Sequence, residues 1–218
     1  MRKKTTWLVL LAVSCCAAAF FGSQGWDGKE LRSAPTTPIA TPTTIQPASH
    51  GLLTVHSPGT VADDLNLTAG ECHVVVKNLQ AGLVLPDPTC TPGAIDPAVT
   101  VATLAATICS HGYTATVRPS SSNTGTFKRQ ALLDYGMSYN PTVEYDHLVP
   151  LELGGANSVS NLWPEPNQAA ARNVNNPKDV VENTLNQAVC SGKVSLSAAQ
   201  EAIAKDWTTA EAAVGVGG

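Results

Sequence analysis

Tyr145-Asp146-His147-Leu148-Val149-Pro150-Leu151-Glu152-Leu153-Gly154-Gly155, followed by Asn161-Leu162-Trp163-Pro164-Glu165-Pro166, is the most telling stretch of this 218-residue chain. The segment from Glu144 to Trp163 reads as a strand, a Gly-Gly turn and a returning strand. A helix opening at Asn176-Pro177 follows, so the order is strand, strand, helix. A carboxylate beside a histidine at a strand end sets a hard oxygen ligand and a base at one point. Asn161, 14 residues beyond His147, returns to face that point. One divalent cation, one base and one orienting amide can support hydrolysis of a phosphodiester.

Around this stretch the chain reads as α+β. Strand-like segments at 52–56 and 72–77 are separated by the turn signals Ser57-Pro58-Gly59 and Ala69-Gly70. Asp96-Pro97 starts a helix, with Asp as N-cap and Pro in the first turn, that runs to about Cys109 and stops at Gly112. A second helix spans about 126–135, with Phe127, Ala131 and Leu132 on one stripe. The third runs from Asn176 through Val180, Val181, Leu185 and Val189 to Gly192. The fourth covers about 197–213 and buries Ala199, Ile203 and Trp207. Residues 51–95 are expected as a small strand-rich segment and 96–214 as the main domain.

The N-terminus points to export. Arg2, Lys3 and Lys4 precede an apolar run from Trp7 to Phe21, the pattern of a secretory signal or an N-terminal anchor over residues 1–22. Leu11-Ala12-Val13-Ser14-Cys15 also has the form of a loose bacterial lipobox, which would attach the chain to a membrane. Residues 23–50 contain the Pro/Thr-rich run 33–49 and read as an extended linker. In an exported chain Cys72, Cys90, Cys109 and Cys190 favour disulfides, with three possible connectivities. Cys109 and Cys190 each end an expected helix, which favours Cys109–Cys190 with Cys72–Cys90. Zinc does not fit these cysteines, because no Cys-x-x-Cys or His-x-x-x-His pair is present.

Composition narrows the classes further. The formal net charge is −4, and loss of the three N-terminal cations would leave 10 Lys/Arg against 17 Asp/Glu. Tight binding of nucleic acid by charge alone is therefore excluded. Beyond the N-terminus no apolar run reaches the ~20 residues of a membrane span, so a multi-span protein is excluded as well. A serine or cysteine hydrolase lacks its activating pair: no Gly-x-Ser-x-Gly elbow occurs and the thiols are expected to be oxidised.

The Asp146-His147, Pro150, Gly154-Gly155 and Asn161-Leu162 pattern resembles the HNH endonuclease family with its ββα-metal finger. It is closer still to small exported bacterial HNH-like proteins that carry DHL-P-LELGG and NLWPEP. The likeness extends over roughly residues 86–208, through Cys90-Thr91-Pro92-Gly93, Gly112-Tyr113-Thr114, Lys178-Asp179 and Val189-Cys190-Ser191-Gly192. It implies a ββα-metal core with flanking helices, a nucleic-acid substrate (DNA in the first instance) and a monomer secreted from, or held at the envelope of, a bacterium. His147 is then the general base and Asp146 a ligand of Mg²⁺, with Mn²⁺ or Zn²⁺ as alternatives. Asn161 pins the hairpin and orients the imidazole. The third ligand position, a His or Asn in the family, falls on Asn175 or Asn176, since Lys178 sits where the family often has Lys. Arg118, Arg172 and Lys178 are candidate phosphate contacts.

Plainer roles compete for several of these residues. Asn176 before Pro177 is also an N-cap signature, and a capping side chain is less free to bind metal. Asn161 suits a turn. The acidic balance favours a second reading, a ββα scaffold that has lost catalysis and serves as an envelope binding or structural protein.

Overall fold

The computed structural model describes residues 51–168 and 176–217. The expected signal or anchor, the linker, Arg172 and Asn175 lie outside the described residues. The elements are β1 (Leu53–Thr54), β2 (Val75–Asn78), β3 (Leu83–Leu85), β4 (Ala94–Ile95), α1 (Tyr113–Val117), α2 (Ser121–Asp134), β5 (Glu144–His147), β6 (Leu162–Glu165), α3 (Lys178–Cys190), α4 (Leu196–Asp206) and α5 (Ala210–Ala213). The strands form three two-stranded sheets: β1 runs parallel to β4, β2 antiparallel to β3, and β5 antiparallel to β6. Helix and sheet are thus mixed, as the sequence suggests. No helix among the described residues is long and apolar enough to cross a membrane.

Several elements differ from expectation for local reasons. The helix expected from Asp96 to Cys109 is instead a 3₁₀ turn, Val101–Ala106. Asp96 caps the Ala98 N–H at 2.8 Å, and Thr100 and Thr103 then cap one another, in a run dense in β-branched residues that disfavour an α-helix. Helix α2 starts five residues before the expected position. Ser120 accepts from the Asn123 N–H, and a Ser/Asn/Thr/Gly run that looks like a loop by composition is drawn into the helix. On α3 the buried apolar stripe is Leu185, Ala188 and Val189, whereas Val180 is 67% exposed.

Two apolar clusters hold the molecule together. In the larger, Leu185 and Val189 of α3 meet Ala199 and Ile203 of α4, Trp207 just beyond it, and Val149 and Leu153 of the loop after β5. The Trp207 indole N–H donates to the Val84 carbonyl at 2.8 Å, tying the end of α4 to β3. The smaller cluster packs Val84, Tyr135, Leu148 and Trp163 around the Cys72–Cys90 disulfide. The second disulfide, Cys109–Cys190, joins the turn ahead of α1 to the end of α3. This is the favoured pairing of the three, and it is compatible with an extracellular protein.

The loop between β5 and β6 is set by one glycine and one asparagine. A Cβ on Gly155 would sit 1.7 Å from the Val149 carbonyl oxygen, so no side chain fits there. Asn161, fully buried, fills the loop's interior. Its Oδ1 accepts from the N–H groups of Val149 (2.9 Å) and Ala94 (3.2 Å), and its Nδ2 donates to the carbonyls of Val149 and Ala156 (both 2.9 Å). All four groups are backbone of buried residues, and this one side chain satisfies them.

Candidate functional site

Strand β5 delivers Glu144, Asp146 and His147 to one polar cavity of about 260 Å³. The carboxylates of Glu144, Asp146, Glu152, Asp179 and Glu182 line it, against a single guanidinium, Arg118. Asp146 and His147 are therefore brought together as the motif implies.

The imidazole of His147 is buried, and its Nε2 lies 2.9 Å from Asn157 Oδ1. Asn157 Nδ2 donates to the carbonyls of Ser57 (2.8 Å) and Val117 (2.9 Å), which fixes the amide's orientation. An acceptor thus faces Nε2, so Nε2 carries the proton and Nδ1 is the basic nitrogen. Burial lowers the imidazole pKa to about 4, against the opposing pull of the Asp146 carboxylate and the Asn157 contact. His147 is neutral at pH 7.

The orienting amide is thus Asn157, not Asn161, which shapes the loop and does not touch the ring. Asn157 escaped the sequence reading because Ala156-Asn157-Ser158 carries no motif. Its partners lie 100 and 40 residues away, so no local signal could reveal it.

Lys178, expected to contact phosphate, does not reach the surface. Its side chain is fully buried, and its ammonium donates to Asp146 Oδ2 (2.7 Å), the His147 carbonyl (2.6 Å) and Glu182. All three of its protons are engaged. Burial alone would lower its pKa, but Asp146, Glu182 and Glu165 hold it well above the usual lysine value. For Asp146 burial pushes upward, and Lys178 with His147 outweighs it, keeping the carboxyl below its ordinary value. Lys178 is a positioning residue that fixes the end of β5 on α3.

Asn176 behaves as the capping signature suggests: its Oδ1 accepts from the Lys178 N–H at 2.9 Å, and its Nδ2 donates to Glu144 at 3.2 Å. Arg118, more than half exposed, stands at the cavity with its nearest guanidinium nitrogen 3.9 Å from Glu152. It remains the described cation best placed for a phosphate.

Glu165 was not singled out as a site residue. It sits on β6 directly opposite Glu144, is 1% exposed, and neither of its oxygens has a hydrogen-bond partner. The Asp146 carboxyl and the Asn176 side chain stand beside it, close enough to shift its titration but not in good hydrogen-bond geometry. Burial raises its pKa well above the carboxylate range.

A divalent cation is implied by the resemblance, and the donor chemistry suits one. The site is rich in carboxylate oxygens, and neither oxygen of the buried Glu165 carboxyl makes a hydrogen bond of good geometry, although the Lys178 ammonium is near enough to act on it. Among the described residues no three His, Cys, Asp or Glu side chains are already gathered as a metal cluster. Compared with family models, with curated proteins and with solved structures, the chain shows no match.

Proposed function

We propose that this protein is an exported metal-dependent hydrolase of nucleic-acid phosphodiester bonds, acting through a ββα-metal core of the HNH type formed by β5, β6 and α3. The observation that carries the reading is a neutral, amide-oriented imidazole on one polar cavity with a carboxylate, Asp146, and a guanidinium, Arg118. His147 Nδ1 accepts the proton of an attacking water, while Asn157 keeps the opposite nitrogen protonated and the ring in place. Arg118 attracts and orients the phosphate. Asp146 and Glu165, with Asn176 beside them, would hold the cation. When bound, it would supply Lewis-acid stabilisation of the charge that builds on phosphate oxygens. Lys178 takes no part in the chemistry but holds Asp146 and the His147 backbone.

The non-catalytic scaffold is the second reading. It is favoured by the five carboxylates against one guanidinium in the cavity, which repel a phosphate unless a cation offsets them. Plasmid nicking and single-stranded RNA cleavage by the disulfide-intact protein separate the two. We expect cleavage with Mg²⁺ or Mn²⁺, none in EDTA, and a fall of about 10²–10⁴-fold in His147→Gln, the usual effect of losing a general base. No cleavage of either substrate with any of Mg²⁺, Mn²⁺ or Zn²⁺ leaves the scaffold as the better account.

A further inference from the structure

Residues 61–67 are hung between two elements by polar side chains. Asn123 of α2 accepts from the Val61 N–H at 2.8 Å, and Asp64 accepts from the N–H (3.0 Å) and hydroxyl of Ser160, just ahead of β6. Between this segment, α2 and the β5–β6 hairpin lies a second cavity, of about 450 Å³, which shares no lining residue with the polar one. Leu65, Leu67, Phe127, Val159 and Leu162 supply its apolar wall, and Asp63, Asp134 and Tyr145 bring polar groups to it. An apolar wall with a few placed polar groups, at this size, is the make-up of a small-molecule site.

Two of these polar groups have bonding capacity to spare. Asp134 is only 3% exposed, yet its carboxylate receives one side-chain bond, from Gln130 Nε2 to Oδ1 at 2.8 Å. Its other oxygen makes no hydrogen bond among the described residues, and no lysine or arginine lines the cavity. Of the basic residues on α2, Lys128 donates to the Val143 carbonyl and Arg129 to Thr126 at 3.3 Å. A buried carboxylate ordinarily takes a cation or several N–H donors. Tyr145 falls on the face of β5 opposite Asp146, and its hydroxyl has no hydrogen bond among the described residues. Burial, and then the carboxylates of Asp134, Asp63 and Asp64, raise its pKa, so the phenol is protonated at neutral pH.

We propose that this cavity binds a small aromatic amine, with its ammonium held by Asp134 Oδ2, Asp63 and the Tyr145 hydroxyl and its ring against Phe127 and the leucines. An ammonium has three protons to give, which matches three oxygens. The rings of Phe127 and Tyr135, both in the wall, add their own attraction for a cation. Two carboxylates and no basic residue turn anions away. Nothing in this site depends on hydrolysis at the other cavity.

The test is calorimetric titration of the full, disulfide-intact chain near neutral pH with 2-phenylethylamine and with its neutral isostere, 2-phenylethanol. The amine should bind with a Kd of about 1 mM or tighter, ordinary for a ligand of that size. The alcohol has the same body without the charge and should bind at least about tenfold more weakly. Asp134→Asn keeps the shape and the bond from Gln130 but removes the charge, and should weaken the amine by about tenfold or more. Tyr145→Phe should weaken it by about threefold or more. No uptake of the amine at about 10 mM, or equal affinity for amine and alcohol, overturns the inference. So does amine binding to folded Asp134→Asn within about twofold of wild type. If Asp134→Asn does not fold, Tyr145→Phe decides, and unchanged affinity there overturns the site. Nα-acetyl-lysine methylamide offers the same ammonium on the stem of a peptide side chain. Weaker binding than the aromatic amine supports the proposal, and tighter binding overturns it in favour of a lysine side chain.

Discussion

His147 shows how one buried contact sets both a protonation state and a liability. Its folded-state pKa of about 4 lies below the unfolded value near 6.5. Between those values the unfolded chain takes up a proton that the folded site refuses. Stability therefore rises with pH through that window, is full above about 6.5 and is lost as pH falls toward 4. The loss from this residue should reach about 2 kcal/mol by about pH 5. Urea unfolding in EDTA near pH 5 and near pH 7, on wild type and His147→Gln, checks it: the variant should lose that share of the pH slope. Equal slopes would mean that the folded site tolerates the imidazolium, with Asp146 as its counter-ion.

At the scale of elements, the β5–β6 loop depends on Asn161 more than on any strand pairing. Asn161→Ala would leave two backbone N–H groups and two carbonyls buried without partners, each costing about 1–3 kcal/mol. We expect a loss of at least about 4 kcal/mol in urea unfolding. A loss below about 2 kcal/mol would mean that water takes over the amide's bonds. The hairpin was legible in the sequence because Gly154-Gly155 and the Asp146…Asn161 spacing are local. Helix α3 was legible because Asn176-Pro177 and a four-residue apolar repeat mark it. The 3₁₀ turn at Val101–Ala106 was hidden by a helix-like cap on β-branched residues, and the short α1 by the stop signal of Gly112. Within the site, Asp146 and His147 announce themselves, while Asn157 acts through partners distant in sequence. Lys178 was misread because a lysine near a phosphate motif looks solvent-facing. Only the fold reveals three oxygens around its ammonium. Glu165 could have been found by laying the hairpin flat, since equal steps from the turn put it across from Glu144.

For the molecule as a whole, the two disulfides divide the work unequally. Cys72–Cys90 closes 18 residues and Cys109–Cys190 closes 81. By chain entropy the first is worth roughly 3 kcal/mol and the second roughly 4.5 kcal/mol. Thermal denaturation of the two double Cys→Ser variants should therefore find the Cys109/Cys190 pair more costly. The reverse order would place the cost in packing, since Cys72 and Cys90 sit within the smaller core cluster.

The longer of these two links has a topological side. Arg118, Glu144, Asp146, His147, Asn157, Asn161, Glu165, Lys178 and Glu182 all fall between Cys109 and Cys190, so the candidate site lies within one covalent ring. A protease that severs the backbone anywhere inside that ring opens it without releasing a piece. The halves stay tethered at one fixed point, at high local concentration, and can re-dock as a split but joined pair. Such a nicked chain would run as one band without reductant and two with it. For a protein expected to work outside the cell, a single cut need not mean the loss of the site.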